Sequence, residues 1–153
     1  MPIPRWLHRL LPYRSPMTDI EEFHKKFGLA PHPTPGGPLP ADLMEFRIKF
    51  LREEIKEFER AAADDQDIAE MADALVVLVY VAVGTAYLLG LPWDRLWSEV
   101  HQANMQKIRV ARPEHSKRGS GYDVVKPPGW EPPAIDALLV EHGIERAWRR
   151  LAR

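Results

Sequence analysis

The chain has no cysteine. That excludes disulfides, thiol nucleophiles and thiolate metal ligands together, and leaves the cytoplasm as the expected compartment. An excess of either charge is also missing, since 21 Lys and Arg stand against 22 Asp and Glu. With no global field to hold a nucleic acid polymer or an anionic membrane, any polyanion site must be local. No strand-like alternation stands above a helical pattern, and no internal repeat is visible. The first sixteen residues, MPIPRWLHRLLPYRSP, are basic, but they never gather Trp6, Leu7, Leu10 and Leu11 into the unbroken apolar stretch of a secretory segment. They read as a tail, residues 1–17, with Met17 as an alternative start, ahead of a single globular domain over residues 18–153.

What is present is a series of helical segments separated by proline and glycine. Residues 18–27 read as a short helix capped by Thr18 or Asp19 and ended by Gly28. LAPHPTPGGPLP is a connector that cannot be regular structure. A second helix starts after Pro40, with Asp42 as N-cap, and runs to about Ala63. DDQD makes the turn into a third, which ends near Gly90, and Pro92 opens a fourth that extends from Trp93 to about Val110. An extended loop follows from Arg112 to Pro133, then a last amphipathic helix from Ala134 to Leu151, weakened at Gly143. The stretch from Ala74 to Leu91 is uncharged and long enough to span a membrane. Glu70 and Asp73 lie within a turn of its start and Gly84 and Thr85 interrupt it, so it reads as the buried centre of a bundle, with no membrane partner.

FLREEIKEFERAAADDQDIAEMADAL, from Phe50 to Leu75, crowds acids into two of these helices. At about 100° per residue, Met44, Ile48, Leu51, Ile55 and Phe58 form one apolar stripe of the second helix, taken as its core face. Glu45, Lys49, Arg52, Lys56, Glu59 and Arg60 form a wholly charged arc for water. Glu53, Glu54 and Glu57 share the remaining third with Phe46 and Phe50, so they extend an apolar surface. Like charges at this spacing repel, and far more so when dehydrated. The third helix brings no base to relieve them; it adds Glu70 and Asp73, spaced i, i+3. A short turn makes the two helices antiparallel, so the acid pairs face each other. Four or five carboxylates without a nearby cation point to a hard divalent ion, Mg²⁺ or Mn²⁺, and not to zinc.

Mg²⁺ held by carboxylates is usually completed by substrate phosphates. HQANMQK sets His101, Asn104 and Lys107 at i, i+3 steps, and the following loop adds Arg109, Arg112, Lys117, Arg118 and Lys126 against only Glu114 and Asp123. Such a loop could neutralise a triphosphate, and Gly119 and Gly121 would let it close.

EEIKE followed by EMAD resembles the EExxE…ExxD motif of the all-α nucleoside triphosphate pyrophosphatases, the MazG-like group related to dimeric dUTPases and phosphoribosyl-ATP pyrophosphohydrolase. HQANMQK, KPPGWEPP and FHKKFGL resemble stretches of one subgroup that includes a dUTP-hydrolysing enzyme, and the likeness runs from about Asp19 to Ile135. The resemblance implies an all-α fold with a four-helix-bundle-like core and an extra C-terminal helix. It implies hydrolysis of a nucleoside triphosphate, dUTP or a related pyrimidine, to the monophosphate and pyrophosphate. Glu54, Glu57, Glu70 and Asp73 match the family's metal ligands. Glu53 is assigned to a further metal or to orienting water, and Glu53 or Glu54 would take the proton. Asn104, Lys107, Lys126 and Arg118 would hold phosphates, and Phe23, His24, Phe27 and Trp130 would meet the base.

Two rivals carry other expectations. A di-iron carboxylate bundle needs Glu-x-x-His pairs, and only EEFH offers one. A non-enzymatic helical interaction protein would use the acids for partner contact. The apolar third helix demands cover on all sides, which predicts at least a homodimer, or a dimer of dimers, through the third or fourth helix.

Overall fold

Each helix stops where its local chemistry gives out. The structure, a computed structural model, describes residues 14–32, 34–63 and 67–144. Among the described residues the fold is all-α apart from one small two-stranded ribbon. The chain divides into two compact units, Met1–Leu91 and Pro92–Arg153.

In the first unit, α1 (Pro16–Lys26) begins two residues earlier than the sequence suggests. Ser15, not Thr18 or Asp19, is its N-cap: the Ser15 hydroxyl accepts from the Met17 amide, and Pro16 suits the first turn. Gly28, at φ 69°, ends it as expected. α2 (Ala41–Ala63) starts directly after Pro40, which places Asp42 inside the first turn and not at the cap. α3 (Ile68–Leu88) is capped by Asp67, whose carboxylate accepts from the Ala69 and Glu70 amides. Of the predicted DDQD turn, residues 64–66 lie outside the described residues.

Arg47, early in α2, reaches Val81 and Thr85, late in α3, and the Asp67 amide donates to Ala61 O, so the two helices run antiparallel. α1 packs on α3 beside them. The proline-rich connector does structural service: the His32 and Gly36 amides donate to Leu88 O and Leu89 O, carbonyls that a helix C-terminus leaves without partners. Ile20, Val81, Val83 and Leu88 are among the buried apolar residues of this unit.

In the second unit, α4 (Trp93–Met105) is shorter than expected. β1 (Ile108–Arg109) pairs antiparallel with β2 (Val124–Val125), Ile108 opposite Val125 and Arg109 opposite Val124. β-branched residues on a pleated pair won over continued helix here, which the helical reading missed. A 3₁₀ turn, Pro113–His115, follows β1. α5 (Ile135–Glu141) packs on α4 and stops well before Leu151. Gly143 enters the left-handed region at φ 73°, and the Ile144 amide returns to Leu139 O, closing the helix; residues 145–153 lie outside the described residues.

Candidate functional site

α2 packs on α3 through a face the apolar pattern did not select. Glu54 and Ala61, seven residues apart, are its buried residues, and Arg47, seven before Glu54, lies half-buried on the same line. Ile48 and Ile55, expected in the core, are exposed. The cause is a polar anchor: Arg47 Nη2 donates to Val81 O at 2.6 Å and Nε to Thr85 Oγ1 at 3.0 Å, which turns that line of the helix toward α3. The charged arc from Glu45 to Arg60 faces water as expected.

Of the five expected carboxylates, Glu54 alone is buried, at 7% exposure; Glu53, Glu57, Glu70 and Asp73 are exposed. Desolvation raises the Glu54 pKa, and the charges of Glu57, Asp73 and Glu53 raise it further. These acids are therefore near enough to repel one another, while no ion pair reaches Glu54, Glu70 or Asp73 among the described residues. Glu57 has a weak partner, Arg60 Nη2 at 3.6 Å, both side chains being well exposed. Glu57, Glu70 and Asp73 line one open depression of about 630 Å³ with Arg60 and Ala69. Glu53 and Glu57 border another, of about 470 Å³.

The expectation of a converged, inward-turned cluster needs correction. Among the described residues, no group of three or more His, Asp or Glu side chains stands ready to hold a metal ion. Around the helix Glu53 and Glu57 both lie to one side of Glu54, about 100° and 60° from it, so the face that buries Glu54, Arg47 and Ala61 against α3 leaves the other two toward solvent. The donor set still fits a hard dication in chemistry. It is all carboxylate, Glu57, Asp73 and Glu53 repel Glu54, and Glu54 is desolvated with no base beside it among the described residues.

The first helix separates the proposed base contacts. Phe23 and Phe27 are exposed, their rings tilted against each other with centroids 4.7 Å apart, and Phe23 meets Tyr80 of α3 edge-on at 5.6 Å. His24 is only 2% exposed: its ring packs on Tyr87 at 4.8 Å, and Nδ1 lies 3.2 Å from Leu29 O. A side chain so enclosed does not present an edge to a ligand. It also disposes of the di-iron motif, because Glu21 pairs with Lys25 at 2.6 Å while His24 turns inward. Sequence reading gave no role to Arg47 or Tyr80. The seven-residue spacing of Arg47, Glu54 and Ala61 was the signal that could have found the first.

In the second unit, Lys107 Nζ donates to Asn104 Oδ1 at 2.7 Å, and Lys107 and Lys126 both lie over the Trp130 ring, at 5.7 and 4.2 Å. Arg118 is placed elsewhere, at 2.8 Å from Asp123 Oδ1. The Asp123 carboxylate also accepts from the Ser116 hydroxyl at 2.6 Å and the Val124 amide at 2.8 Å, and these bonds lower its pKa. His101 is exposed on α4.

Residues 20–104 match the family model described as phosphoribosyl-ATP pyrophosphohydrolase. That segment contains all five carboxylates and Asn104, and ends before Lys107, Lys126 and Trp130. No curated protein matches the chain.

Proposed function

Because the chain belongs to the phosphoribosyl-ATP pyrophosphohydrolase family, we propose that it is a divalent-metal-dependent pyrophosphohydrolase of nucleoside triphosphates or their derivatives. The observation that carries this reading is Glu54: a buried carboxylate without a basic partner among the described residues, set among Glu53, Glu57 and Asp73 within the matched segment. Protein cores rarely keep such a group, since removing a charge from water costs several kcal/mol unless something compensates. A bound substrate with its cation is that compensation.

Glu54, Glu57, Glu70 and Asp73 would hold the ion, Mg²⁺ or Mn²⁺, and Glu53 would serve a further ion or orient water. When bound, the ion supplies Lewis-acid charge to phosphate oxygens. Glu53 or Glu54 accepts the proton of the attacking water. The water oxygen bonds to one phosphorus of the α–β anhydride, the bond from that phosphorus to the bridging oxygen breaks, and monophosphate and pyrophosphate leave. Asn104, Lys107 and Lys126 hold phosphate oxygens. Phe23 and Phe27, with Tyr80, offer exposed aromatic surface to the base.

The likeness of FHKKFGL, HQANMQK and KPPGWEPP to a dUTP-hydrolysing subgroup directs the finer reading to dUTP or a related pyrimidine. A second reading, phosphoribosyl-ATP, is favoured by the description of the matching family. The test is pyrophosphate release by the purified chain, with Mg²⁺ or Mn²⁺, from the eight common nucleotides and phosphoribosyl-ATP. Release from none of them overturns the enzymatic reading.

α3 is long and apolar enough to cross a membrane by length and composition. We take it as the central helix of a single cytoplasmic domain. Leu75, Val76 and Val79 on it are exposed, and a second copy of the chain, in a dimer or dimer of dimers, covers them. Light scattering that finds a monodisperse monomer at micromolar concentration refutes the dimer.

A further inference from the structure

We propose that Trp130 is a positioning residue, whose indole gathers Lys107 and Lys126 into a clamp for the polyphosphate chain of the nucleotide. This rests on the pyrophosphohydrolase reading above and deepens it. Trp130 follows Gly129, which at φ 79° turns the chain so that the Trp130 amide donates to Pro127 O at 3.1 Å. Prolines on both sides of this turn stiffen it. The indole N–H donates to Ala103 O at 2.7 Å, a carbonyl in the last turn of α4. That bond gives the helix end a partner and fixes the plane of the ring.

Both ammonium groups are then drawn to the same ring, Lys126 at 4.2 Å and Lys107 at 5.7 Å from its centroid. Neither has a carboxylate within ion-pair distance among the described residues. Lys107 spends one N–H on Asn104, a second tie on the ammonium group besides the ring. Two ammonium groups held at one ring offer a ligand with several anionic oxygens the N–H groups they have not spent. Arg118 lacks this freedom because Asp123 already holds it. An indole whose N–H is spent and whose ring is flanked by ammonium groups is suited to aligning cations, and this role replaces stacking on a base.

The test uses the full chain in EDTA and base-free inorganic tripolyphosphate, with binding followed by calorimetry. Trp130→Ala and Lys126→Gln are each expected to weaken binding about tenfold or more, as the loss of charge-assisted bonds to phosphate implies. Trp130→Phe keeps a ring and is expected to recover part of the loss. In turnover, Trp130→Ala should raise KM by a similar factor for every nucleotide, with kcat nearly unchanged. Wild-type tripolyphosphate binding by Trp130→Ala overturns the proposal, and so does a KM change confined to one base. Should Trp130→Ala fail to fold, Trp130→Phe and the exposed Lys126→Gln carry the same comparison. If no nucleotide is hydrolysed while tripolyphosphate still binds and the variants still weaken it, the clamp stands and the pyrophosphohydrolase reading falls.

Discussion

Two acids, Glu54 in the first unit and Asp123 in the second, are treated in opposite ways. In the first, Glu54 and Arg47 occupy one face of α2 packed on α3, and neither has an oppositely charged partner among the described residues. In the second, Asp123 is surrounded by Ser116, Arg118 and the Val124 amide, so its charge is spent holding a loop. A charge already satisfied by its own chain shapes the fold, whereas one left unsatisfied awaits a ligand or restrains its surroundings. Glu54 belongs to the second kind, and the difference can be broken one residue at a time.

The largest effect is expected at the acids. Glu54→Gln or Asp73→Asn should lower metal-dependent pyrophosphate release by about 100-fold or more, since even outer partners of metal ligands cost 10–100-fold. Glu54→Gln should also raise the thermal midpoint in EDTA, because it removes a desolvated charge. By contrast Arg118→Gln, whose guanidinium is committed to Asp123, should change kcat/KM by no more than about the few-fold of a surface ion pair. A large loss at Arg118 with none at Glu54 would reverse the comparison.

Next comes the packing around Arg47. A Cβ built on Gly84 would lie 2.9 Å from Arg47 Nη2 and 3.4 Å from His24 Nε2. Displacing that guanidinium costs its bonds to Val81 O and Thr85, against a helix-propensity gain of about 1 kcal/mol, so Gly84→Ala should destabilise the protein by about 0.5–2 kcal/mol in urea unfolding. The shorter, uncharged side chain of Arg47→Met should take back part of that loss in the double variant, a coupling of about 0.5–3 kcal/mol between touching residues. Additive losses would mean that Arg47 does not set the fit of α2 on α3.

Helix positions were legible because periodicity and breakers act locally: Gly28, Pro40, Gly90 and Pro92 mark ends that the structure keeps. Which face of α2 turns inward was not legible. That choice depends on Arg47 finding Val81 and Thr85 more than 30 residues away, as its separations of 34 and 38 record, and an apolar count gives such a contact no weight. The ribbon was missed for a related reason, since Ile108 and Val125 are strand-forming only once the loop between them has been closed by the Asp123 bonds. The acids themselves were legible as a spacing, but their exposure was not, because it follows from the face that Arg47 selects.

A smaller effect is set by pH. Burial pushes the His24 pKa below its ordinary 6.5, and the nearby Arg47 charge adds to this against the Leu29 carbonyl. Between that ordinary value and the depressed one the unfolded chain binds a proton that the folded chain refuses. Stability from this group is thus full above about pH 6.5 and is lost as the pH falls through that window. His24→Gln should flatten that segment of a urea midpoint against pH profile. Arg47, whose guanidinium lies near the ring, stays charged throughout that range. An unchanged slope in the variant would assign the pH response elsewhere.

The smallest effect belongs to the satisfied charge. Bonds from Ser116 and the Val124 amide, joined by the Arg118 charge, hold the Asp123 carboxyl below the ordinary carboxylate value, so its contribution is present at neutral pH and is lost as the pH falls below about 3.8. Asp123→Asn keeps an oxygen to accept one or two of these bonds and loses the attraction to Arg118. The expected result is local: faster hydrogen exchange at the Val124 and Val110 amides, which border the ribbon, with the exchange of α2 and α3 unchanged. Faster exchange along α2 as well would mean that the effect of Asp123 is not local, and that the contrast between a satisfied Asp123 and an unsatisfied Glu54 does not hold.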